Sequence, residues 1–192
     1  MGRGKQLSSE IVLNKAYALA VENGIASVTY NGLARELEIR PQSMYRYVKD
    51  LKELRTWLLS RFLDELVEKI GAKMTGLPPA QALHVFAVTM YDECHTNPRY
   101  YETFKLMHSY DVIEGLQASL LSLCNLIQGP LEQLEGQTPA ATRHTQLFVA
   151  VNLGYAQMSM THFPPDSLRD DRDAFTRSID EFLEGLLAGK QI

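Results

Sequence analysis

Apolar residues in this chain recur at intervals of three and four, and no segment alternates apolar with polar as a half-buried strand would. Val12, Ala16, Leu19 and Ala20 form one such stripe, Leu33, Ala34 and Leu37 a second, and Met44 and Val48 a third. A longer stripe runs through Leu54, Trp57, Leu58, Leu59, Phe62, Leu66 and Ile70. The expected fold is therefore all-α, with about nine helices.

Local punctuation sets the helix ends. Ser8 or Ser9 caps the first helix and Asn23-Gly24 stops it; Thr29 caps a short second helix. A tight turn follows at Glu38-Ile39-Arg40. Pro41 suits the first turn of a third helix over 41–48, where its missing N–H costs nothing. Asp50 caps a fourth helix over 50–72. The stretch 71–80 holds Gly71, Gly76, Pro78 and Pro79 and reads as a boundary, giving an N-terminal domain 1–60 and a C-terminal domain 72–192. Further helices are expected at 79–96, 99–108, 112–128, 139–162 and 167–188. The breaks between them fall at Pro98, Ser109-Tyr110, Gly129-Pro130, 136–139 and Pro164-Pro165. Ser167 and Asp170 have capping-box spacing.

Composition excludes several classes. With 45% apolar and 22% charged residues, 12 Gly and 8 Pro in 192, the chain is neither disordered nor fibrous. The longest apolar run, 16–21, is far short of the roughly 18 residues needed to cross a bilayer. Asn14 and Lys15 interrupt anything resembling a signal peptide, and Gln6 departs from a myristoylation motif. Cys94 and Cys124 form no disulfide framework, which points to free thiols in a reducing cytoplasm. No phosphate-binding glycine loop, nucleophile elbow or paired-histidine zinc motif is present. His84 and His95 lack the i, i+4 spacing of helical metal ligands. No catalytic residue, cofactor or metal is expected.

Charge is distributed unevenly. Residues 1–61 hold ten Lys or Arg against six Asp or Glu, whereas the remainder holds nine against seventeen. The first third suits a polyanion, and two solvated surfaces of differing charge account for the split equally well. Arg3 and Lys5 are either an arm toward such a partner or a solubilising terminus.

Three short helices with a tight turn before the third are the layout of a helix-turn-helix DNA reader. Leu33, Ala34, Leu37, Ile39, Met44 and Val48 supply its packed faces. Arg40, Gln42, Ser43, Tyr45, Arg46 and Tyr47 point outward, with the donors and rings that base edges and phosphates accept. A small bundle with a polar surface would share this periodicity.

Residues 7–58 resemble the DNA-binding domain of the tetracycline-repressor (TetR) family. Ile11-Val-Leu-Asn-Lys-Ala-Tyr-Ala-Leu-Ala-Val-Glu-Asn-Gly is similar to its first helix, and Val28-Thr-Tyr-Asn-Gly-Leu-Ala-Arg-Glu-Leu-Glu-Ile to its second helix and turn. Gln42-Ser-Met-Tyr-Arg-Tyr-Val-Lys-Asp-Leu-Lys-Glu-Leu is similar to its recognition helix running into the fourth. The resemblance implies that Tyr45 contacts phosphate, that Arg40, Pro41, Gln42, Ser43 and Arg46 read bases, and that Tyr47 lies beside the backbone. It also implies phosphate contacts from Thr29, Tyr30 and Asn31. Glu38 stands where the family has glycine, and a positive φ there would cost about 1 kcal/mol. Leu51 stands where the family often has a phosphate-clamping lysine, leaving Lys49 or Lys52 as the substitute.

The resemblance further implies a C-terminal domain for dimerisation and ligand binding, and Asn97-Pro-Arg-Tyr-Tyr-Glu-Thr-Phe is similar to an element of one TetR subgroup. Phe86, Met90, Tyr91, Phe104, Met107, Tyr110, Phe148 and Tyr155 are pocket candidates suited to a largely apolar small molecule; each also fits a plain core position. Leu147, Val151, Gly154 and Met158, with Phe175, Ile179, Phe182 and Leu186, are dimer-interface candidates, the alternative being the monomer's own core. The function the resemblance implies is a cytoplasmic regulator, a repressor that binds a palindromic operator as a homodimer and is released by a small-molecule effector. Rival readings are a constitutive repressor without a ligand and a small-molecule-binding or enzymatic bundle.

Overall fold

A computed structural model describes residues 7–106, 114–161 and 172–188. The helices there are α1 (Ser9–Asn23), α2 (Tyr30–Glu36), α3 (Leu51–Met74), α4 (Pro79–Thr96), α5 (Pro98–Leu106), α6 (Glu114–Glu135), α7 (Pro139–Met160) and α8 (Arg172–Ala188), with 3₁₀ helices η1 (Ile25–Ser27) and η2 (Pro41–Arg46). No strand occurs among the described residues. The all-α reading of the sequence holds.

Each N-terminal helix is fixed by short-range chemistry. The Ser8 hydroxyl accepts from Ile11 N, and the α1 stop is Gly24 at φ 81°, whose N–H donates to the Ala20 carbonyl. Thr29 caps α2 by accepting from Gly32 N at 3.1 Å. Two bonds close α2, Ile39 N to Ala34 O at 2.9 Å and Glu38 N to Arg35 O at 3.2 Å. That pairing is a Schellman motif, whose turn residue must be left-handed. Glu38 takes that position at φ 56°, the one non-glycine positive φ among the described residues. Asp50 then caps α3 by accepting from Glu53 N at 2.7 Å, while the Glu53 carboxylate reaches back to Lys49 N at 2.8 Å.

The core is one continuous cluster from Val12 to Leu183. Helix α3 runs through it, burying Leu54, Leu58, Leu59, Phe62, Leu63, Leu66, Ile70 and Met74. Its N-terminal half contacts α1 and η1, and its body packs on α4, α5 and α6. Each such side chain contributes roughly 1.5–3 kcal/mol by leaving water. That gain explains why Gly71, expected at a break, lies inside the helix, and why the break falls at Thr75–Pro78 instead.

Helix α6 departs more sharply from expectation. It continues through Gly129-Pro130 to Glu135, although an interior proline costs roughly 3 kcal/mol. Leu123, Ile127 and Leu131 lie at i, i+4 and i+8 and are all buried. Stopping at Gly129 would leave Leu131 without its place in the core. The predicted third helix is also shorter and tighter than expected, a six-residue 3₁₀ segment. Arg3, Lys5, Pro164-Pro165 and the Ser167–Asp170 box lie outside the described residues.

Replacing Glu38 with glycine removes the left-handed penalty without touching the core. Urea denaturation should show Glu38→Gly more stable by about 1 kcal/mol; an unchanged or lowered midpoint would contradict the strain argument.

Candidate nucleic-acid interface and buried cavity

The geometry of η2 follows from its three residues per turn, which gives it three ridges. Met44, fully buried, plugs the pair formed with Leu33 and Ala34. On the other two ridges Gln42, Tyr45 and Arg46 are exposed, while Ser43 is half-buried. Tyr45 is 64% exposed, an uncommon setting for an aromatic ring. Arg40 and Arg46 are exposed and form no ion pair with the described chain. Pro41 is exposed at the start of η2, and Tyr47 is half-buried at its end.

Residues of the α2 start play unequal parts. The Tyr30 hydroxyl donates to the Val48 carbonyl at 3.1 Å, and its ring meets Tyr45 edge-on at 5.2 Å. Tyr30 thus braces Tyr45, and its single O–H is not free for a phosphate. Burial, with the nearby Asp50, Tyr45 and Glu53 charges, pushes the Tyr30 phenol up to about 12. Thr29 accepts the Gly32 N–H and keeps its own hydroxyl proton available to donate. Asn31 is exposed. Lys49 and Lys52 are both exposed at the start of α3 and border one hollow with Asp50, Glu53 and Thr56.

Two ties join this unit to the rest of the molecule, and neither was legible beforehand. Arg55 on α3 donates to the Ala26 and Val28 carbonyls at 3.2 and 3.3 Å, holding the link between η1 and α2. Glu102 on α5 accepts from Ile25 N at 3.2 Å across 77 residues of sequence. Gly24 makes room for it: a Cβ there would lie 3.1 Å from the Glu102 carboxylate. A lone glutamate two positions before Phe104 offered no sequence signal for this role.

A cavity of about 60 Å³ lies between α4, α5, α6 and α7, lined by Phe86, Met90, Phe104, Leu120, Leu123, Cys124, Ile127, Val149, Asn152 and Leu153. Of the eight pocket candidates, Phe86, Met90 and Phe104 line it. Tyr91, Phe148 and Tyr155 do not, because they are stacked into an aromatic cluster against α8. Tyr91 and Tyr155 each lie 4.8 Å from Phe175, and Phe148 lies 5.7 Å from Phe182. Met107 and Tyr110 fall outside the described residues. The lining residues of α6 were missed because periodicity does not reveal which neighbour each side of a helix faces.

That same cluster corrects part of the proposed interface. Phe175 and Ile179 are each 1% exposed within a single chain, so they serve the monomer's core. Leu147 is 47% exposed, and Val151, Gly154, Met158, Phe182 and Leu186 are partly exposed. His84 pairs with Asp180 at 2.6 Å and His95 bonds the Tyr91 carbonyl at 2.7 Å. Among the described residues, no cluster of three His, Cys, Asp or Glu could hold a metal. No described helix is long and apolar enough to cross a membrane.

No protein-family model matches the chain. A stretch of 96 residues is 26% identical to the uncharacterised HTH-type transcriptional regulator YobS of Bacillus subtilis, covering 50% of each chain. The chain spans about half the length of the curated relatives it matches. Among solved structures, a TetR transcriptional regulator from Streptomyces coelicolor superposes with a TM-score of 0.67 at 18% identity, over 95% of this chain and 98% of that one. The transcriptional regulator FadR of Bacillus subtilis, solved in complex with stearoyl-CoA, gives 0.64 at 14% identity, over 93% and 97%. The chain therefore has the fold of TetR-type regulators, a helix-turn-helix unit joined to a helical body, in agreement with the resemblance read from residues 7–58. These neighbours are regulators rather than enzymes.

The tyrosines give this unit an alkaline signature. Burial, with the hydrogen bond and charge of Glu65, also pushes the Tyr17 phenol up to about 12. Unfolded tyrosines ionise near 10, so the unfolded state releases protons that the folded state keeps, and stability falls as pH rises from 10 toward 12. Denaturation between pH 9 and 11.5 should show this loss, and the Tyr17→Phe/Tyr30→Phe pair should flatten it. An equally steep loss in that pair would refute the assignment.

Proposed function

We propose that this chain is a cytoplasmic DNA-binding transcription regulator of the TetR type, a repressor that holds a palindromic operator as a homodimer and is released by a small-molecule effector. The observation that carries the reading is η2, whose Gln42, Tyr45 and Arg46 face outward, with Ser43 half-buried, while Met44 anchors them from behind. Outward donors on a rigid, anchored segment are what base-edge readout requires. Gln42, Ser43 and Arg46, with Arg40 and Pro41, are assigned to bases. Tyr45, Thr29, Asn31 and one of Lys49 and Lys52 are assigned to phosphate, with Tyr47 beside the backbone and Tyr30 as the brace.

One such segment spans too few base pairs for specificity, and a two-fold pair places two of them about one DNA turn apart. The exposed side of α7 and α8 suits this pairing. Leu147, Val151 and Met158 lie on the same face of α7 as Gly154, and Phe182 and Leu186 are partly exposed on α8. A Cβ built at Gly154 meets nothing within 4 Å in the monomer, so the glycine serves no packing need there. A second copy approaching closely would use that space.

The effector would enter between α4, α5, α6 and α7. Phe104 lines that cavity and Glu102, on the same helix, holds Ile25, so displacement of α5 reaches the DNA-binding unit directly; α3 offers a second route. The present cavity has the volume of about two liquid waters, so an effector requires its walls to part. That small volume favours, as the second reading, a constitutive repressor with no ligand.

Fluorescence anisotropy against the chain's own upstream DNA, across salt and against scrambled DNA, tests the central claim. Binding far tighter to the native sequence supports it, whereas equal, salt-labile binding reduces it to electrostatics. Arg46→Ala should cost about 1–3 kcal/mol at one base position; a uniform loss across sequences would move Arg46 to the phosphates. Gly154→Leu should keep or raise monomer stability, since glycine is a poor helix former. Light scattering should nonetheless show the variant as a monomer with operator binding lost; a dimer of unchanged affinity would refute the interface.

A further inference from the structure

Residues 24–28 join the end of α1 to the cap of α2, and side chains from two other helices hold their backbone. Arg55 of α3 donates to the Ala26 and Val28 carbonyls, and Glu102 of α5 accepts from Ile25 N at 3.2 Å. Ile25 and Val28 are themselves buried, at 0% and 1% exposure. Apolar burial is non-directional, so it sets how deep the link sits and leaves its rotation open. A hydrogen bond is directional and fixes that rotation. Ile25 opens η1, and the first N–H of a helix has no carbonyl available within that helix, so its partner must come from outside.

Glu102 is placed with little freedom. Tyr100 and Thr103, before and after it in α5, are 1% and 0% exposed, which fixes the register of α5 against its neighbours. At the receiving end Gly24, at φ 81°, keeps the space open: an added Cβ would stand 3.1 and 3.4 Å from the two carboxylate oxygens. Beyond the link, Thr29 caps α2 and the Tyr30 ring braces Tyr45. A turn of the backbone at Ile25 is therefore carried along the chain to the outward ring of η2.

We infer that Glu102 is a positioning residue for DNA reading, whose carboxylate orients the α1–α2 link so that α2 and η2 stand at the angle that distinguishes one sequence from another. This task rests on the proposed role of η2 as the DNA-contacting segment, and Glu102 performs it with no effector bound. Loss of the hold leaves the exposed Arg40, Arg46 and Lys49 in place and spares the electrostatic part of binding. What falls is discrimination between sequences, because base-edge contacts depend on orientation and attraction to the backbone does not.

The test compares Glu102→Gln with Glu102→Ala in the full-length protein. Both remove the charge, and only glutamine keeps an oxygen able to accept from Ile25 N, so electrostatic changes cancel between them. Anisotropy gives the affinity for the chain's own upstream DNA relative to scrambled DNA, at a temperature where melting curves show each variant folded. That ratio should fall about tenfold in Glu102→Ala, the equivalent of one lost hydrogen bond, and be largely kept in Glu102→Gln. Hydrogen exchange at the Ile25 amide, read on the same samples, should quicken in Glu102→Ala and not in Glu102→Gln. An unchanged ratio in folded Glu102→Ala overturns the assignment, as does an equal fall in both variants, which would place the effect in the charge. Faster exchange in Glu102→Ala, with no preference by the parent for its own DNA, keeps the hold on the link but overturns the reading of η2 and the task assigned with it. Should Glu102→Ala not fold, Glu102→Asp, whose carboxylate is one methylene shorter, replaces it with the same expected fall and the same refutation.

Discussion

The structure depends on the burial of α3 along almost its whole length. A 24-residue helix spans about 36 Å, long enough to belong to both ends of a small protein. Its first turn is capped by Asp50 beneath η2, its middle is packed through Leu58, Phe62 and Leu66, and Ile70 and Met74 end it against the helical body. No apolar gap separates the two halves, so they share a core where the composition at 71–80 suggested a division. A protein built this way couples its two ends through packing. The Glu102 to Ile25 bond adds a second, polar connection at the far side of the same unit.

Much of the helical layout was legible because its determinants are local. Thr29 and Asp50 cap the helices they were expected to cap, Ser8 is the one of the Ser8-Ser9 pair that caps α1, and Gly24 stops α1 as expected. The left-handed turn was open to the resemblance alone: Glu38 stands where the family has glycine, and it takes φ 56°. What escaped was whatever depends on a distant partner. Pro130 reads as a break until the burial of Leu131 is known, and the stripe of Phe175 and Ile179 fits interface or core until Phe175 is seen against Tyr91 and Tyr155 and Ile179 is found buried.

The helical body divides its aromatic residues between two tasks. One set, Tyr91, Phe148, Tyr155, Phe175 and Phe182, is locked ring against ring and joins α8 to α4 and α7. The other, Phe86 and Phe104, borders the cavity, with Phe86 still 6.1 Å from Phe148. Rigid stacking on one side and a soft wall of Met90, leucines and isoleucine on the other mean that the space can enlarge toward α6 more readily than toward α8. Side chains of the soft wall cost little to rotate, whereas breaking the ring cluster would forfeit several aromatic pairs, each worth roughly 0.5–1.5 kcal/mol.

The unequal labour within the helix-turn-helix unit also bears on how such a protein can change over time. Gln42 and Arg46 face outward and hold nothing in the fold, so exchanging them leaves stability almost untouched. Tyr30, Met44 and Arg55 secure the segment from behind and cannot be exchanged so cheaply. With the outer ridges reading DNA as proposed, a lineage carrying this scaffold could explore new target sequences by drift there, with no folding threshold to cross at each step. Duplicated copies could diverge in what they recognise long before they diverge in shape.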